Sequence, residues 1–112
     1  MIINDYRFGY IKINDTVYKH DVIIFKSQVN SWWRVSGHEV VIKDIEELVD
    51  NKPEMIIFGQ GDPGLMKVSS EVKRYLNDNN IEMLELPTME AVSRFNELIK
   101  TRDVAGAFHL TC

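Results

Sequence analysis

Three stretches of this 112-residue chain carry residue types that could do chemistry. The first is IIFGQGDPGLM at 56–66, where Gly59-x-Gly61-x-x-Gly64 follows an apolar run. Glycines so spaced let a backbone turn sharply and approach a pyrophosphate, and Glu85 stands near the end of the next expected strand, where a ribose-binding acid belongs. The second is SWWRVSGH at 31–38. Its two indoles, guanidinium and imidazole can stack on a planar ring or clamp a carboxylate. The third is the closing HLTC, in which Cys112 with His109, or with His38, offers a thiol and a base.

Each has a plainer reading that weighs more. In a dinucleotide turn the third glycine already lies within the helix, so that the helix N-terminus points at the phosphates. Here Leu65 to Val68 separate Gly64 from the expected cap at Ser69, and Pro63 removes one N–H donor from the cradle. The expectation is a tight strand-to-loop turn that needs glycine for positive φ, with no cofactor and no metal. The alternative is a small-anion site at a strand's carboxyl end, with Arg34, His38 and the N–H groups around Gly59 and Gly61 as its donors. Trp32 and Trp33 are expected to pack their loop onto the sheet or to bury it in a protein partner. His109 reads as a hydrogen-bonded structural histidine, and the terminal carboxylate on Cys112 disfavours its thiolate. Glu46, Glu47, Glu82 and Glu85 read as solvated surface rather than an acid–base pair. No catalytic residue is assigned.

Composition narrows the classes further. Thirteen Lys+Arg against seventeen Asp+Glu leave a formal charge of −4, and no window gathers the basic residues along a path that a phosphate backbone could follow. The expectation is therefore no nucleic-acid partner. One cysteine and three histidines are a thin supply of metal ligands and suit a reducing compartment. No apolar stretch approaches the ~20 residues of a membrane span, and the opening MIINDYRFGY lacks the regions of a secretory signal, so the expected location is cytoplasmic.

The elements that must position these groups follow from pattern. RFGYIKI and TVYKHDVIIF, separated by the turn residues NDT, predict an N-terminal hairpin whose DVIIF run is covered on both faces. KSQVNSWWRVSG is expected to be irregular, before a short strand at HEVVI. Asp44 and Glu47 suit the capping of a short helix, MIIFG a buried strand, SSEVKRYLNDNN a helix, and IEMLEL a strand that completes a βαβ unit. Thr88 is expected to cap a helix with Val92, Phe95, Leu98 and Ile99 inward, before a last strand at GAFHLTC. The result is one α/β domain, 1–112, with a mainly parallel sheet.

Taken in order, FGYIKI, YKHDVIIF, WWRVSGHEV, PEMIIFGQG, PTMEAVSRFNELI and AFHLTC give the chain a resemblance to a small family of uncharacterised proteins first described in a methanogen. Its relatives include the adipogenesis-associated Mth domain protein and a mitochondrial complex I assembly factor. The resemblance implies three layers, with the last strand in the middle of a central mixed sheet and antiparallel to its neighbours, and it implies no enzyme activity. On that topology Cys112 lies at the opposite end of the sheet from the glycine loop. The expectation is a non-enzymatic interaction or assembly module, a dimer or a binder of another protein, with a small anionic-ligand binder or an unrecognised enzyme as the alternative.

Overall fold

The computed structural model describes residues 1–112. The chain opens with three antiparallel strands, β1 (Ile3–Arg7), β2 (Tyr10–Ile13) and β3 (Thr16–Tyr18). Asn14 and Asp15 both take positive φ, the backbone of a two-residue hairpin turn, where the NDT signal predicts one. The expected hairpin is thus a meander, because the second long run breaks after Tyr18. Residues 19–21 carry the chain to another sheet, where β4 (Val22–Phe25) is buried along its whole length.

That sheet has the order β5-β4-β10-β7-β9, with β5 (Gln28–Ser31), β7 (Met55–Gln60), β9 (Glu82–Leu86) and β10 (Val104–His109). β5 falls in the stretch expected to be irregular. It is an exposed polar edge strand, joined to β4 through Lys26 and Ser27 at positive φ, and neither residue is a usual turn signal there. Between β5 and β7 come a two-residue strand β6 (Glu39–Val40), a 3₁₀ turn (Ile42–Ile45) and the short helix α1 (Glu46–Asp50). β8 (Lys67–Val68) pairs with β6 and leads into α2 (Ser70–Asp78), and α3 (Thr88–Leu98) links β9 to β10.

β10 lies in the middle, but its direction differs from the expectation. It is antiparallel to β4 and parallel to β7, with Val104 beside Met55 and His109 beside Gln60. The reason is the crossover: a helix that carries the chain back over the sheet delivers the next strand in the same direction as the last. Two pairings are parallel and two antiparallel, so the sheet is evenly mixed rather than mainly parallel.

Alternation along the central strands divides the core. Ile56, Phe58, Ala105 and Ala107 pack with Trp32, Leu48, Val72 and Leu76 on the face that α1 and α2 cover. Ile57, Val104 and Phe108 pack with Ile11, Ile13 and Phe95 on the face that α3 and the meander cover. On that second face the rings of Phe95 and Phe108 meet edge to face, with centroids 5.6 Å apart. No helix is long and apolar enough to cross a membrane.

Candidate functional site

Asp21 directly precedes β4, Arg34 follows β5 and His109 ends β10, and because β10 runs antiparallel to β4 these three points share one end of the sheet. Asp21 Oδ2 accepts from Arg34 Nη1 at 2.5 Å and lies 2.8 Å from His109 Nδ1, while Oδ1 accepts the Leu110 N–H at 2.8 Å. A carboxylate can only accept, so His109 carries its proton on Nδ1, and the 3.1 Å approach of Arg34 Nη2 to that nitrogen sets donor against donor. Arg34 Nη2 donates instead to the Gly37 carbonyl at 3.1 Å. Burial pushes the Asp21 carboxyl up, but the hydrogen bonds from His109, Arg34 and the Leu110 N–H outweigh it and hold the group below the ordinary carboxylate range. The side chains of Arg34 and His109 are only 7% and 8% exposed, and Arg34 Nε and His109 Nε2 have no hydrogen-bond partner in the protein.

The two tryptophans part company. Trp32 is buried, donates Nε1–H to the Asp44 carbonyl at 2.9 Å and carries the Arg34 guanidinium over its ring at 4.7 Å. Trp33 is 85% exposed and Val35 72%. Asp44 does not cap α1, whose N-cap is Ile45. It lies within the 3₁₀ turn, and its carboxylate accepts the N–H groups of Val35 at 3.1 Å and Val41 at 2.8 Å. The loop is thereby pinned on both sides of Trp33 while that ring faces outward.

The glycine loop is built for packing. Gly61 takes φ +89°, and a Cβ there would collide with the Thr111 carbonyl. Its N–H donates to Thr88 Oγ1 at 2.7 Å, and the same hydroxyl donates to the His109 carbonyl at 2.6 Å. Thr88 is therefore a buried bridge between two strands and a helix rather than the expected cap, a position that Pro87 holds. Gly59 lies within β7 opposite Phe108 and Leu86, and a Cβ there would stand 2.8 Å from Thr88 Oγ1. α2 begins only at Ser70, with Ser69 as its cap, so its N-terminus stays away from this turn. Glu85 accepts the Val68 N–H at 2.7 Å and pairs with Lys73, which makes it a tie for β8 rather than solvated surface.

The structure thus gathers Arg34 and His109 around Asp21, a residue the sequence reading passed over. Its signal is an acid directly before a fully buried strand, with an arginine after the next one. A cleft of about 240 Å³ at this point is lined by Asp21, Trp32, Trp33 and Arg34, with Ser31 and Ser36. His38 is exposed beside it in sequence, and its carbonyl accepts the Lys67 N–H. Cys112 is an exposed free thiol on the glycine-loop side of the sheet, since the Asp62 N–H donates to the Thr111 carbonyl at 3.0 Å; its expected position at the far end is corrected by the direction of β10. The largest cleft, about 510 Å³, lies at the opposite end of the sheet near Lys52, Glu54 and Asn79, away from all these residues.

Comparison with known proteins places the fold. A family model described as "Protein of unknown function (DUF498/DUF598)" matches residues 3–109. Among solved structures, the conserved hypothetical protein PH1505 from Pyrococcus horikoshii OT3 is 24% identical, with a TM-score of 0.90 over 100% of both chains. A protein named MT938 is 28% identical, with a TM-score of 0.81 over 99% of this chain and 98% of its own. A protein from Bordetella pertussis, described as a Mth938-like domain, is 20% identical, with a TM-score of 0.71 over 97% of this chain and 85% of its own.

Proposed function

The chain belongs to the DUF498/DUF598 family of proteins of unknown function, and on that premise we propose that it is a protein-interaction or assembly module whose contact residue is Trp33. The observation that carries this reading is the contrast between adjacent side chains: Trp33 is 85% exposed while Trp32 before it and the side chain of Arg34 after it are buried. A large ring held out on a loop pinned by Asp21, Asp44 and Gly37 loses little freedom on contact, which is what an anchor residue needs. The sequence resemblance to the adipogenesis-associated Mth domain protein and to a mitochondrial complex I assembly factor suits an assembly role, which for this chain we place in the cytoplasm. To test it, immobilised wild-type protein and Trp33→Ala are compared for the proteins they retain from a lysate. Retention of the same set by both would remove Trp33 from the function.

A second reading rests on Arg34 Nε, a buried donor that lacks a protein partner. Together with the cleft beside Arg34, which His20 rather than His38 lines, it favours a small anionic ligand bound through Arg34. The N–H of Gly61 is already taken by Thr88, and neither Gly59 nor Gly61 lines the cleft, so the reading rests on Arg34 without the glycine loop. A thermal-shift panel of phosphorylated and carboxylated metabolites tests this reading, because a ligand that binds only the folded state raises the melting temperature.

A further inference from the structure

Seven large apolar side chains are exposed, and Phe8, Trp33, Val35, Leu65 and Met89 are five of them. All five fall at one end of the central sheet. Trp33 and Val35 follow β5, and Leu65 lies in the loop after β7. Met89 is in the first turn of α3, which starts where the Thr88 N–H meets the Gly61 carbonyl. Phe8 sits in the β1–β2 turn, which is held against the end of β10 by the Gly9 N–H on the Leu110 carbonyl at 2.8 Å. The strand order makes these residues a row: Trp33 stands at the β5 edge, Met89 at the β9 edge, and Phe8 and Leu65 between them over β10 and β7.

Resting on the interaction reading above, we propose that this row is the contact surface of a twofold homodimer in which Trp33 of each copy packs on Met89 of the other. Three features on this end fit a second copy. A twofold axis through the middle of the row, over the end of β10, brings opposite edges of two sheets together, and such a contact closes on itself without exposing a further site. The pairs it creates are chemically matched, since a methionine sulfur packs well on an indole. The five side chains expose on the order of 600 Å² of apolar surface, which with a polar rim approaches the roughly 800 Å² per partner of a standard interface. Charge at this end is mixed, and the terminal carboxylate of exposed Cys112, beside the end of β10, is the group that the contact has to accommodate. Arg7 is paired with Asp5 at 3.0 Å, Asp62 in the Leu65 loop is matched by Lys67 at the start of β8, and Lys19 and Glu90 add one charge of each sign.

Sedimentation equilibrium across about 1 to 500 µM protein tests the proposal, with melting temperature as the check that each variant is folded. Wild type is expected to dimerise with a dissociation constant inside that range. Trp33→Ala and Met89→Ala are each expected to weaken it about tenfold or more, and the double variant to lose less than the product of the two. Ile2→Ser and Val17→Ser, which alter the exposed apolar residues off the row, should leave it unchanged. A wild type monomeric throughout the range, or a dimer indifferent to Trp33 and Met89, overturns the proposal. A monomer that still captures a different protein through Trp33 overturns it while leaving the interaction reading intact.

Discussion

Asp21 Oδ2 and His109 Nδ1 meet at 2.8 Å where the first strand of the central sheet begins and its last strand ends. Arg34 shares the same oxygen, so the carboxylate of Asp21 joins three segments distant in sequence. Replacing it by an amide of equal size removes the anion but leaves the guanidinium buried. Asp21→Asn is expected to lower stability by about 3 kcal/mol, measured by urea unfolding, and Arg34→Met to cost a similar amount because it leaves the Asp21 carboxylate without its guanidinium.

Acid should separate the same variants. The Asp21 carboxyl is held low in the folded protein, so its contribution is complete above the unfolded-state value and is lost as pH falls through the lower folded one. The urea midpoint of wild type is expected to fall on acidification below about pH 4, and that of Asp21→Asn to fall less. Parallel curves from pH 6 to pH 2 would show that other carboxylates carry the acid response.

The Thr88 hydroxyl serves a donor and an acceptor at once. Thr88→Val keeps the shape but strands the Gly61 N–H and the His109 carbonyl, at a cost of about 2 to 4 kcal/mol for the two unpaired groups. Thr88→Ser, which retains the hydroxyl, should recover more than half of that loss.

Gly61→Ala places a methyl group against the Thr111 carbonyl and holds an L-residue at positive φ. A loss of about 2 kcal/mol or more is expected in thermal or urea unfolding. Gly37→Ala, where a Cβ meets nothing within 4 Å, serves as the comparison and should be close to neutral.

The tryptophans can be read separately by fluorescence. Trp33→Ser should leave stability within about 0.5 kcal/mol of wild type and retain the blue-shifted, quencher-resistant emission of buried Trp32. Trp32→Ala should cost about 3 to 5 kcal/mol. Acrylamide quenching lost together with Trp33 would confirm the division.

The sequence reveals those elements that announce themselves by a single dominant force. Val22–Phe25, Met55–Gln60 and Val104–His109 are buried along their whole length and show as unbroken apolar or small-residue runs. The cap at Ser69 shows because its side chain answers the Val72 N–H three residues on. β5 is polar and exposed, held by its ladder to β4 rather than by apolar burial, and its turn is made by Lys26 and Ser27 against their own preference. The direction of β10 depends on where α3 returns the chain, a choice made by packing over the whole sheet. The candidate site was legible only in half. Arg34, His109 and the glycines stood out by residue type, whereas Asp21 and Thr88 matter through partners far away in sequence, at separations of 88 residues to His109 for the first and 21 for the second.

The strand that joins the two halves of the central sheet is β10, although synthesis delivers it after all the others. Until residue 109 has left the ribosome, β4 and β7 each present a bare inner edge with no neighbour to complete the ladder. A chain released only as far as β9 therefore lacks the ladder that joins its two halves, and its open strand edges are free to pair wrongly.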